Sequence, residues 1–367
     1  MSRRRGGAAA RPVLFVTNHA PAFRIGAFAA LHAAEDVVFA LVGGGLRHGG
    51  AIPADELPFP VIRPPQRAIG RIAASGRFRA VVAGLSGRVA LPAAYLGARR
   101  AGIPFVLWAT IWRHPRTAAH ALSYLPLRHL YRHADAIVTY GPHVSAYVRS
   151  KGARGPVLEA PQSVDDAFWG APAEPRRHAP FQVMFAGRLE GEKGLPVLLS
   201  AWHATGLSAP ASALIMVGDG PFRARAVATG AVVPEAPVAP EQVRSYYAGS
   251  DVVVVPSVPT HDFLEPWGLV VNEAFDQGVP VIATTAVGAA AGGLVRNEQT
   301  GLVVPPGDPA ALTAALRRLH ADADLRARLG AAGRAAVAAG HSHAHWAAGM
   351  SRALAAAGAS RGREGCC

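Results

Sequence analysis

Three things are scarce in this sequence: cysteines, long apolar runs, and acidic residues in the first half. The only cysteines among the 367 residues are Cys366 and Cys367. This excludes a disulfide framework and a cysteine-based zinc site, and it is compatible with a reducing cytoplasm. A Cys-Cys ending would suit lipidation, but we interpret it as tail sequence. Half of the residues are hydrophobic, yet no apolar run reaches the roughly 18 residues of a membrane-spanning helix.

The shortage of acidic residues makes the charge uneven. Residues 1–180 hold 23 Lys/Arg against 9 Asp/Glu, a net charge of +14, whereas residues 181–367 hold 14 against 15, a net charge of −1. This asymmetry predicts an anionic partner for the first half: a lipid headgroup, a membrane surface or an acidic saccharide. We expect the arginines of residues 63–79 and 113–132 to contribute most. No nucleic-acid-binding motif accompanies the charge, so nucleic acid is not expected as a partner.

Short apolar runs alternate with helical patterns along both halves of the chain, which predicts doubly wound α/β domains with parallel sheets. The predicted strands are Val13–Thr17, Val37–Val42, Ala80–Ala83, Phe105–Ala109, Ala136–Thr139, Gln182–Ala186, Ala213–Val217, Val252–Val255 and Val281–Ala283. The predicted helices include Ala22–Ala34, Val89–Arg100, Thr117–Arg132, Leu269–Phe275 and His343–Ala357.

Proline and charge accumulate between these two series of elements, in APAEPRRHAP at residues 171–180, which is typical of a linker. We therefore predict a first domain over residues 12–172, a linker over 173–180 and a second domain over 181–342. A helix over 343–358 and a tail over 359–367 follow. The start, MSRRRGGAAARP, is basic but has no apolar segment behind it, so we expect a solvated tail over residues 1–11 rather than a secretory signal.

The densest motif lies between residues 256 and 307. Glu265 is followed directly by Pro-Trp-Gly, and Glu273 lies eight positions further on, inside the predicted helix. The order of strand, acidic loop and helix start brings backbone N–H groups to the carboxyl edge of a parallel sheet, where anionic ligands bind. The two carboxylates are suited to accept hydrogen bonds from sugar hydroxyls.

This segment resembles the donor-site signature of the retaining GT-B glycosyltransferases of family 4, also called group 1 glycosyltransferases. Their pattern is E-x7-E, with P-[FW]-G after the first glutamate and G-x-P-V-I-A after the second. FAGRLEGEK at residues 185–193 and IMVGDGP at residues 215–221 are similar to two further motifs of that family. The resemblance covers about residues 181–310. Because four motifs follow in order, we interpret the chain as a member of this family.

The resemblance implies a fold and an activity. The fold would be GT-B: two Rossmann-like, doubly wound domains facing across a cleft, with the C-terminal helix crossing back to the N-terminal, acceptor-binding domain. The activity would be retaining transfer of a sugar from a nucleotide-sugar donor to a saccharide or lipid-linked acceptor in bacterial envelope polysaccharide or glycolipid synthesis. No cofactor and no metal would be needed. The protein would be cytoplasmic, with possible peripheral association at the inner membrane surface.

The resemblance also implies roles for individual residues. Arg188 and Lys193 would stabilise the departing diphosphate, Glu265 would reach the donor sugar's hydroxyls, and Glu273 would hold the ribose. Neither glutamate would act as a covalent nucleophile. The implied donor-binding set is Gly187, Arg188, Lys193, Gly218, Gly220, Glu265, Pro266, Trp267, Gly268, Leu269 and Glu273.

Three residues of the first half are candidates for the acceptor side. His114 follows the strand Phe105–Ala109 and is also a candidate catalytic residue, because related enzymes often have a histidine or aspartate near that strand's end. His19 and Arg24 follow the first strand, and Arg24 would suit an anionic acceptor.

Two other functions remain open from the sequence alone, a GT-B sugar-nucleotide 2-epimerase and a scaffold that binds a sugar nucleotide or a membrane without turnover. Two patterns imitate metal sites but are interpreted as structural. Asp322-Ala-Asp324 follows an amphipathic helix rather than a buried strand, and His341, His343 and His345 are not all on one helix face.

Overall fold

The computed structural model describes residues 11–43, 56–85 and 87–364. Within these residues, packing divides the chain into two units. The first comprises residues up to 110, residues 118–161 and residues from 343 onward, and the second comprises residues 111–117 and 162–342. The expectations for the basic tail before residue 11 and for Cys366 and Cys367 lie outside the described residues.

The first unit is built on a parallel sheet with the strand order β3-β2-β1-β4-β5-β6-β7. Its strands are β1 Val13–Thr17, β2 Val37–Leu41, β3 Val61–Ile62, β4 Ala80–Gly84, β5 Phe105–Ala109, β6 Ala136–Thr139 and β7 Val157–Glu159. Its helices as far as residue 150 are α1 Ala22–Glu35, α2 Ile69–Ala73, α3 Ala90–Arg100, α4 Ala118–His133 and α5 Pro142–Ser150. The central strands β1, β4 and β5 are buried along their whole length, as expected for parallel strands covered on both faces.

The second unit is built on a smaller parallel sheet with the strand order β12-β11-β10-β8-β9. Its strands are β8 Phe181–Ala186, β9 Ser212–Val217, β10 Val252–Val255, β11 Val281–Thr284 and β12 Gly301–Val304. Its helices are α6 Asp166–Trp169, α7 Leu195–Thr205, α8 Arg223–Ala228, α9 Pro240–Ala248, α10 Val270–Asp276, α11 Gly288–Ala291, α12 Pro309–Ala321 and α13 Ala323–Gly340. One buried apolar cluster joins β8, β9 and β10 to α7 and α12.

The last helix, α14 His343–Glu364, packs on the first unit although it follows the second in sequence. Trp346, which is fully buried, lies with its ring centroid 5.7 Å from that of Phe28 and 5.8 Å from that of Trp108. The backbone of Gly349 lies against Glu159 and Ala160, where a β-carbon would meet the Glu159 carbonyl oxygen at 2.5 Å. The predicted return of the C-terminal helix to the first domain is therefore confirmed.

Strand positions match the sequence-based prediction to within one residue, but three strands were missed. β3 has two residues and β7 has three, so neither offers enough alternation to be recognised. β12 begins with Gly301, a residue that disfavours strands. Packing also places residues 111–117 and 162–172 with the second unit. The sequence-based prediction has them in the first domain, because it sets the boundary at the proline-rich stretch 171–180. None of the helices in the described residues is long and apolar enough to cross a membrane.

The packing of α14 predicts that two side-chain truncations in the first unit differ greatly in their effect on the free energy of unfolding. Trp346→Ala should lower the free energy of unfolding by about 3–5 kcal/mol, because it leaves a cavity among buried aromatic rings. Leu122→Ala, at a side chain that is 84% exposed, should change it by less than about 0.5 kcal/mol. Chemical denaturation of both variants checks this. Equal, small effects would contradict the packing of α14 on the first unit.

Candidate functional site

The carboxyl edge of the second sheet brings three predicted motifs together. β8 pairs in parallel with β9 on one side and with β10 on the other. Because parallel strands end at the same edge, the loops that follow these three strands are neighbours. They carry Gly187-Arg188, Gly218-Asp219-Gly220 and the segment from Pro256 to Leu269. The sequence motifs, which are 30 to 80 residues apart, thus form one site.

Glycines allow the first two loops to approach closely. Leu189 N donates to Asp219 O at 2.8 Å and Gly187 N donates to Val217 O at 2.9 Å. A β-carbon on Gly218 would lie 1.9 Å from the Gly187 carbonyl oxygen, and Gly218 has a φ of 149°, a value that side chains disfavour. The backbone contact at this edge therefore requires glycine at position 218.

Lys193 and Glu265 form the central ion pair of the site. Lys193 Nζ donates to Glu265 Oε2 at 2.5 Å, and Ser257 Oγ donates to the same oxygen at 3.1 Å. The lysine side chain is 18% exposed and the glutamate side chain 10%. Lys193 Nζ also lies 4.9 Å from the centroid of the Phe263 ring, a cation–π contact. Two residues that are 72 positions apart are thereby held together at the sheet edge.

Arg188 is not part of this pair. Its guanidinium donates to Glu190 and, at 3.0 Å, to Glu192 Oε1, and its side chain is 42% exposed. Arg188 and its two glutamates thus form a surface ion cluster on the loop that follows β8. This loop also contains Lys193, but the structure brings only Lys193 into contact with Glu265.

The loop after Glu265 is fixed by contacts on both sides. Trp267 is 2% exposed, and its Nε1 donates to Asn272 Oδ1 at 2.8 Å. The Glu265 carbonyl accepts from Gly288 N at 3.1 Å and Trp267 O accepts from Ala289 N at 2.8 Å. Gly268 has a φ of 92°. The predicted positions Pro266 and Leu269 lie in this same stretch, which leads directly into α10.

Two acids of α10 lie where the ionised form is disfavoured: Asp276 is buried and Glu273 is half-buried. Burial raises the pKa of Glu273 to about 7, opposed by the 2.7 Å hydrogen bond that Tyr247 donates to its Oε2. Burial, together with the nearby Asp166, raises the pKa of Asp276 to about 7. Near neutral pH, each carboxyl is therefore balanced between its protonated and ionised forms.

Residues 111–117 carry His114 into the second unit. Trp112 Nε1 donates to Glu265 O at 3.0 Å. Arg113 donates to Thr260 O and, at 2.5 Å, to Phe263 O. Arg116 N donates to His261 O at 3.1 Å. His114 thus lies in a segment that is bonded to the same loop as Glu265. The sequence places His114 in the first domain, whereas packing places its segment with the second unit; its acceptor-side role stays a prediction.

The other two acceptor-side candidates lie together in the first unit. His19 and Arg24 line a cavity of about 200 Å³ at the carboxyl ends of β1, β4, β5 and β6. Arg24 donates to Tyr140 OH at 2.9 Å. His19 and Arg24 thus belong to the first unit, whereas the segment that carries His114 belongs to the second.

The residues of the two metal-like patterns have structural contacts of their own. Within the described residues, no group of three or more His, Cys, Asp or Glu side chains is arranged to hold a metal ion. Asp322 instead caps α13, accepting a hydrogen bond from Leu325 N at 2.8 Å. His341 ends α13 and lies 5.7 Å from the Trp267 ring, whereas His343 begins α14 and lies against Gly26 of the first unit.

Sequence reasoning missed four residues that shape this site. Ser257 comes two positions after β10, within the densest motif, and its place could have drawn attention to it. Tyr247, Trp112 and Phe263 gave no such signal, because each reaches its partner across a distance in sequence or through backbone and ring contacts.

Similarity to known proteins agrees with this geometry. The family model for glycosyl transferases group 1 matches residues 180–322. A GDP-mannose-dependent alpha-(1-6)-phosphatidylinositol monomannoside mannosyltransferase of Mycolicibacterium smegmatis is 32% identical over 282 residues, and the match covers 70% of each protein. The chain belongs to the group 1 glycosyltransferases. A match with another curated relative is shorter. A D-inositol 3-phosphate glycosyltransferase of Xylanimonas cellulosilytica is 35% identical over 168 residues, 42% of this chain and 37% of that protein. The chain spans less than two fifths of the length of the first curated relatives it matches.

Solved structures identify the fold of this group 1 glycosyltransferase. The crystal structure of Anabaena HepE in complex with UDP matches with a TM-score of 0.73 and 17% identity, over 94% of this chain and 99% of that one. A sucrose-phosphate synthase from Thermosynechococcus elongatus matches with a TM-score of 0.70 and 19% identity, over 93% of this chain and 98% of that one. The predicted GT-B fold with two Rossmann-like domains is confirmed.

The raised pKa values of α10 predict how stability depends on pH. A carboxyl whose pKa rises from about 4.5 to about 7 on folding holds a proton that the unfolded chain has lost, so stability falls as pH rises through that window. Glu273→Gln and Asp276→Asn should each reduce this fall. Each variant should be at least as stable as the wild type at pH 8. Denaturation at pH 5.5 and pH 8 measures the free energy of unfolding of each variant and of the wild type.

Glu298→Gln is the matched control for this prediction. A hydrogen bond from Arg318 lowers the pKa of Glu298, so this pair stabilises the folded protein at both pH values. Glu298→Gln should therefore be slightly less stable than the wild type at both. If Glu273→Gln were clearly less stable than the wild type at pH 8, the burial-driven pKa shift would be contradicted.

Proposed function

We propose that this protein is a retaining, metal-independent glycosyltransferase. It moves a sugar from a nucleotide-sugar donor to a saccharide or lipid-linked acceptor. The observation that carries the proposal is the contact between Lys193 Nζ and Glu265 Oε2 at the edge of the second sheet. This contact supports the proposal because an ammonium suited to phosphate oxygens lies directly beside a carboxylate suited to sugar hydroxyls. The name of the mycobacterial relative, a GDP-mannose-dependent mannosyltransferase, supports a nucleotide-sugar donor.

Lys193 is the proposed electrophilic group. When the bond between the sugar carbon and the diphosphate oxygen breaks, negative charge grows on that oxygen, and a preorganised cation stabilises it. Lys193 is already oriented by Glu265 and held over the Phe263 ring. Little reorganisation is therefore needed when a phosphate oxygen takes a place in its hydrogen-bonding shell.

Arg188 is the proposed second cation. In the structure it is engaged by Glu190 and Glu192 on the surface. Exposed ion pairs contribute only about 0–1 kcal/mol, so a diphosphate can draw the guanidinium away from them. Its planar fork then binds two phosphate oxygens at once, which an ammonium does not do.

The two glutamates are proposed to hold the donor rather than to attack it. Glu265 Oε2 already accepts from Lys193 and Ser257, which makes it a poor nucleophile and leaves Oε1 for sugar hydroxyls. Glu273 would hold the ribose. Because its pKa is raised to about 7, the ionised form that accepts two hydroxyl hydrogen bonds increases as pH rises from 6 to 8.

Without an enzyme nucleophile, we propose that the acceptor hydroxyl attacks the same face from which the diphosphate leaves. The new bond joins the sugar carbon to the acceptor oxygen as the bond to the phosphate oxygen breaks. The acceptor's proton passes to the departing diphosphate, which is stabilised by Lys193 and Arg188. This sequence of events retains the configuration of the sugar carbon.

The acceptor is proposed to be a component of envelope polysaccharide or glycolipid, reached from the cytoplasmic side. The net charge of +14 over residues 1–180 supports an anionic acceptor or membrane surface for the first unit. Arginines of residues 63–79 and 113–132 remain the predicted contributors. Transfer to an acceptor, rather than release of an epimerised sugar, distinguishes this function from a 2-epimerase.

Removing the Lys193 ammonium should nearly abolish transfer. Lys193→Ala is expected to lower kcat by about 100- to 1000-fold, as for other preorganised electrostatic groups, while thermal unfolding shows a folded protein. The measurement uses the donor that a thermal-shift screen of UDP-, GDP-, ADP- and dTDP-sugars selects.

Lys151 provides a matched control, since it is the only other lysine of the chain. It lies over Tyr124 and Tyr147 in the first unit, and Lys151→Ala should keep nearly full turnover. A Lys193→Ala variant with more than about a tenth of wild-type turnover at saturating donor would refute the assignment.

Chelation tests the absence of a catalytic metal. Because the proposed leaving-group stabilisers are Lys193 and Arg188, EDTA should leave the rate of transfer unchanged. Complete loss of activity on chelation, restored by magnesium or manganese, would overturn the account in which cationic side chains do this work.

A further inference from the structure

Among the residues that the structure describes, Arg24 is a buried cation without a counter-ion. It is 4% exposed, and one of its terminal nitrogens donates to Tyr140 OH at 2.9 Å. The other terminal nitrogen, NH1, is buried and has no hydrogen-bond partner within the described residues. Buried polar groups are normally paired, so this nitrogen calls for an explanation.

The immediate surroundings of Arg24 are aromatic rather than acidic. Its guanidinium carbon lies 4.8 Å from the centroid of the Trp108 ring, 5.6 Å from that of Tyr140 and 5.9 Å from that of Trp346. Burial lowers the pKa of Arg24, and Tyr140 alone opposes that effect, with no carboxylate contributing. The rings stabilise the cation in part, but an unpaired buried charge remains unfavourable.

Arg24 lies at the wall of an open cavity. Arg24 lines the cavity of about 200 Å³ together with Thr17, Asn18, His19 and Thr110. The first turn of α1, a helix of 14 residues, also faces this cavity through Pro21 and Phe23. That turn contains no acidic residue and its N-cap residue makes no side-chain hydrogen bond. This cavity is therefore lined by a buried cation, a helix N-terminus and polar side chains. Each of them favours a negative charge there.

A purely structural role explains less of this arrangement. If Arg24 served only to pack between aromatic rings, an unbranched apolar side chain such as methionine would fill the same place without a desolvated charge. The unpaired NH1 and the open cavity beside it would then have no purpose. Both are explained when an anion completes the site.

We propose that this cavity binds an oxyanion, a phosphate or carboxylate carried by the acceptor, with Arg24 as its main ligand. This inference rests on the proposed function, because it assigns the anion to the molecule that receives the sugar. Arg24 NH1 donates to the anion while NH2 stays on Tyr140, and the start of α1 adds its positive dipole end. The same chemistry is offered by a soluble sugar phosphate and by a phosphate in a lipid headgroup.

Calorimetric titration with inorganic phosphate tests the site directly. Because phosphate also suits Lys193 and Arg188, the titration uses a protein that carries both Lys193→Ala and Arg188→Ala, in which the two proposed donor-site cations are absent. This protein should bind phosphate at one site. Adding Arg24→Met should weaken phosphate binding at least about tenfold, and Arg24→Lys, which keeps the charge, should weaken it less.

Two further variants provide a second test of the site and a control. Asn18→Asp places a carboxylate on the cavity wall, so it should weaken phosphate binding without removing the buried arginine, even if Arg24→Met fails to fold. Arg79→Met removes an arginine of the same unit that is paired with Glu35 at 2.5 Å, and it should leave phosphate binding unchanged. The proposal is wrong if the protein with Lys193→Ala and Arg188→Ala binds no phosphate, or if neither Arg24→Met nor Asn18→Asp weakens binding.

Two further arms distinguish the source of the anion. Glucose 6-phosphate is compared with glucose, and vesicles containing phosphatidylglycerol are compared with neutral vesicles at physiological salt. Arg24→Met should abolish the preference for the charged member of one pair, which identifies the source. If both preferences survive in Arg24→Met, the anion site is contradicted. Nucleotide-sugar binding by the same variant should be unchanged, so failure of the donor assignment is detected separately from failure of this site.

Discussion

The ion pair between Lys193 and Glu265 is the interaction on which the rest of the second unit's site depends. It joins the loop after β8 to the loop after β10 and is mostly removed from water. A pair in such a place is stable only when its remaining hydrogen-bonding groups are satisfied, and Ser257 and the Phe263 ring meet that need. The pair therefore fixes two opposite charges side by side before any ligand arrives.

The parallel sheet explains why these charges meet. Strand β8 lies between β9 and β10, so the segments that follow all three strands share one edge. Gly218 then allows the first two loops to touch through their backbones. The motif order in the sequence was sufficient to predict this edge, because apolar runs of four to six residues mark the strands clearly and each motif follows one of them directly. The fold and the meeting of the motifs at one sheet edge were thus within reach of sequence reasoning, whereas the ion pair between Lys193 and Glu265 was not predicted.

Other features depend on contacts that sequence patterns do not encode. Glu190 and Glu192 engage Arg188, although its place beside Lys193 in the motif suggested a shared task. Tyr247 reaches Glu273 from another helix. His114 follows a strand of the first unit, yet hydrogen bonds from Trp112 and Arg113 to the Glu265 loop place its segment with the second. Individual side-chain hydrogen bonds decide these positions, and those of Trp112 and Arg113 span 150 residues or more. No periodicity in the sequence indicates any of them.

The central claim is that a nucleotide sugar binds on the edge that carries Lys193 and Glu265. Amide hydrogen exchange with and without a saturating nucleotide sugar tests it most directly, because exchange reports which backbone segments are ordered by the ligand. The account predicts increased protection in residues 187–193, 218–220 and 265–273, with little change at the far end of the same strands. Protection confined to other segments, or none at a ligand concentration that saturates binding, would contradict it.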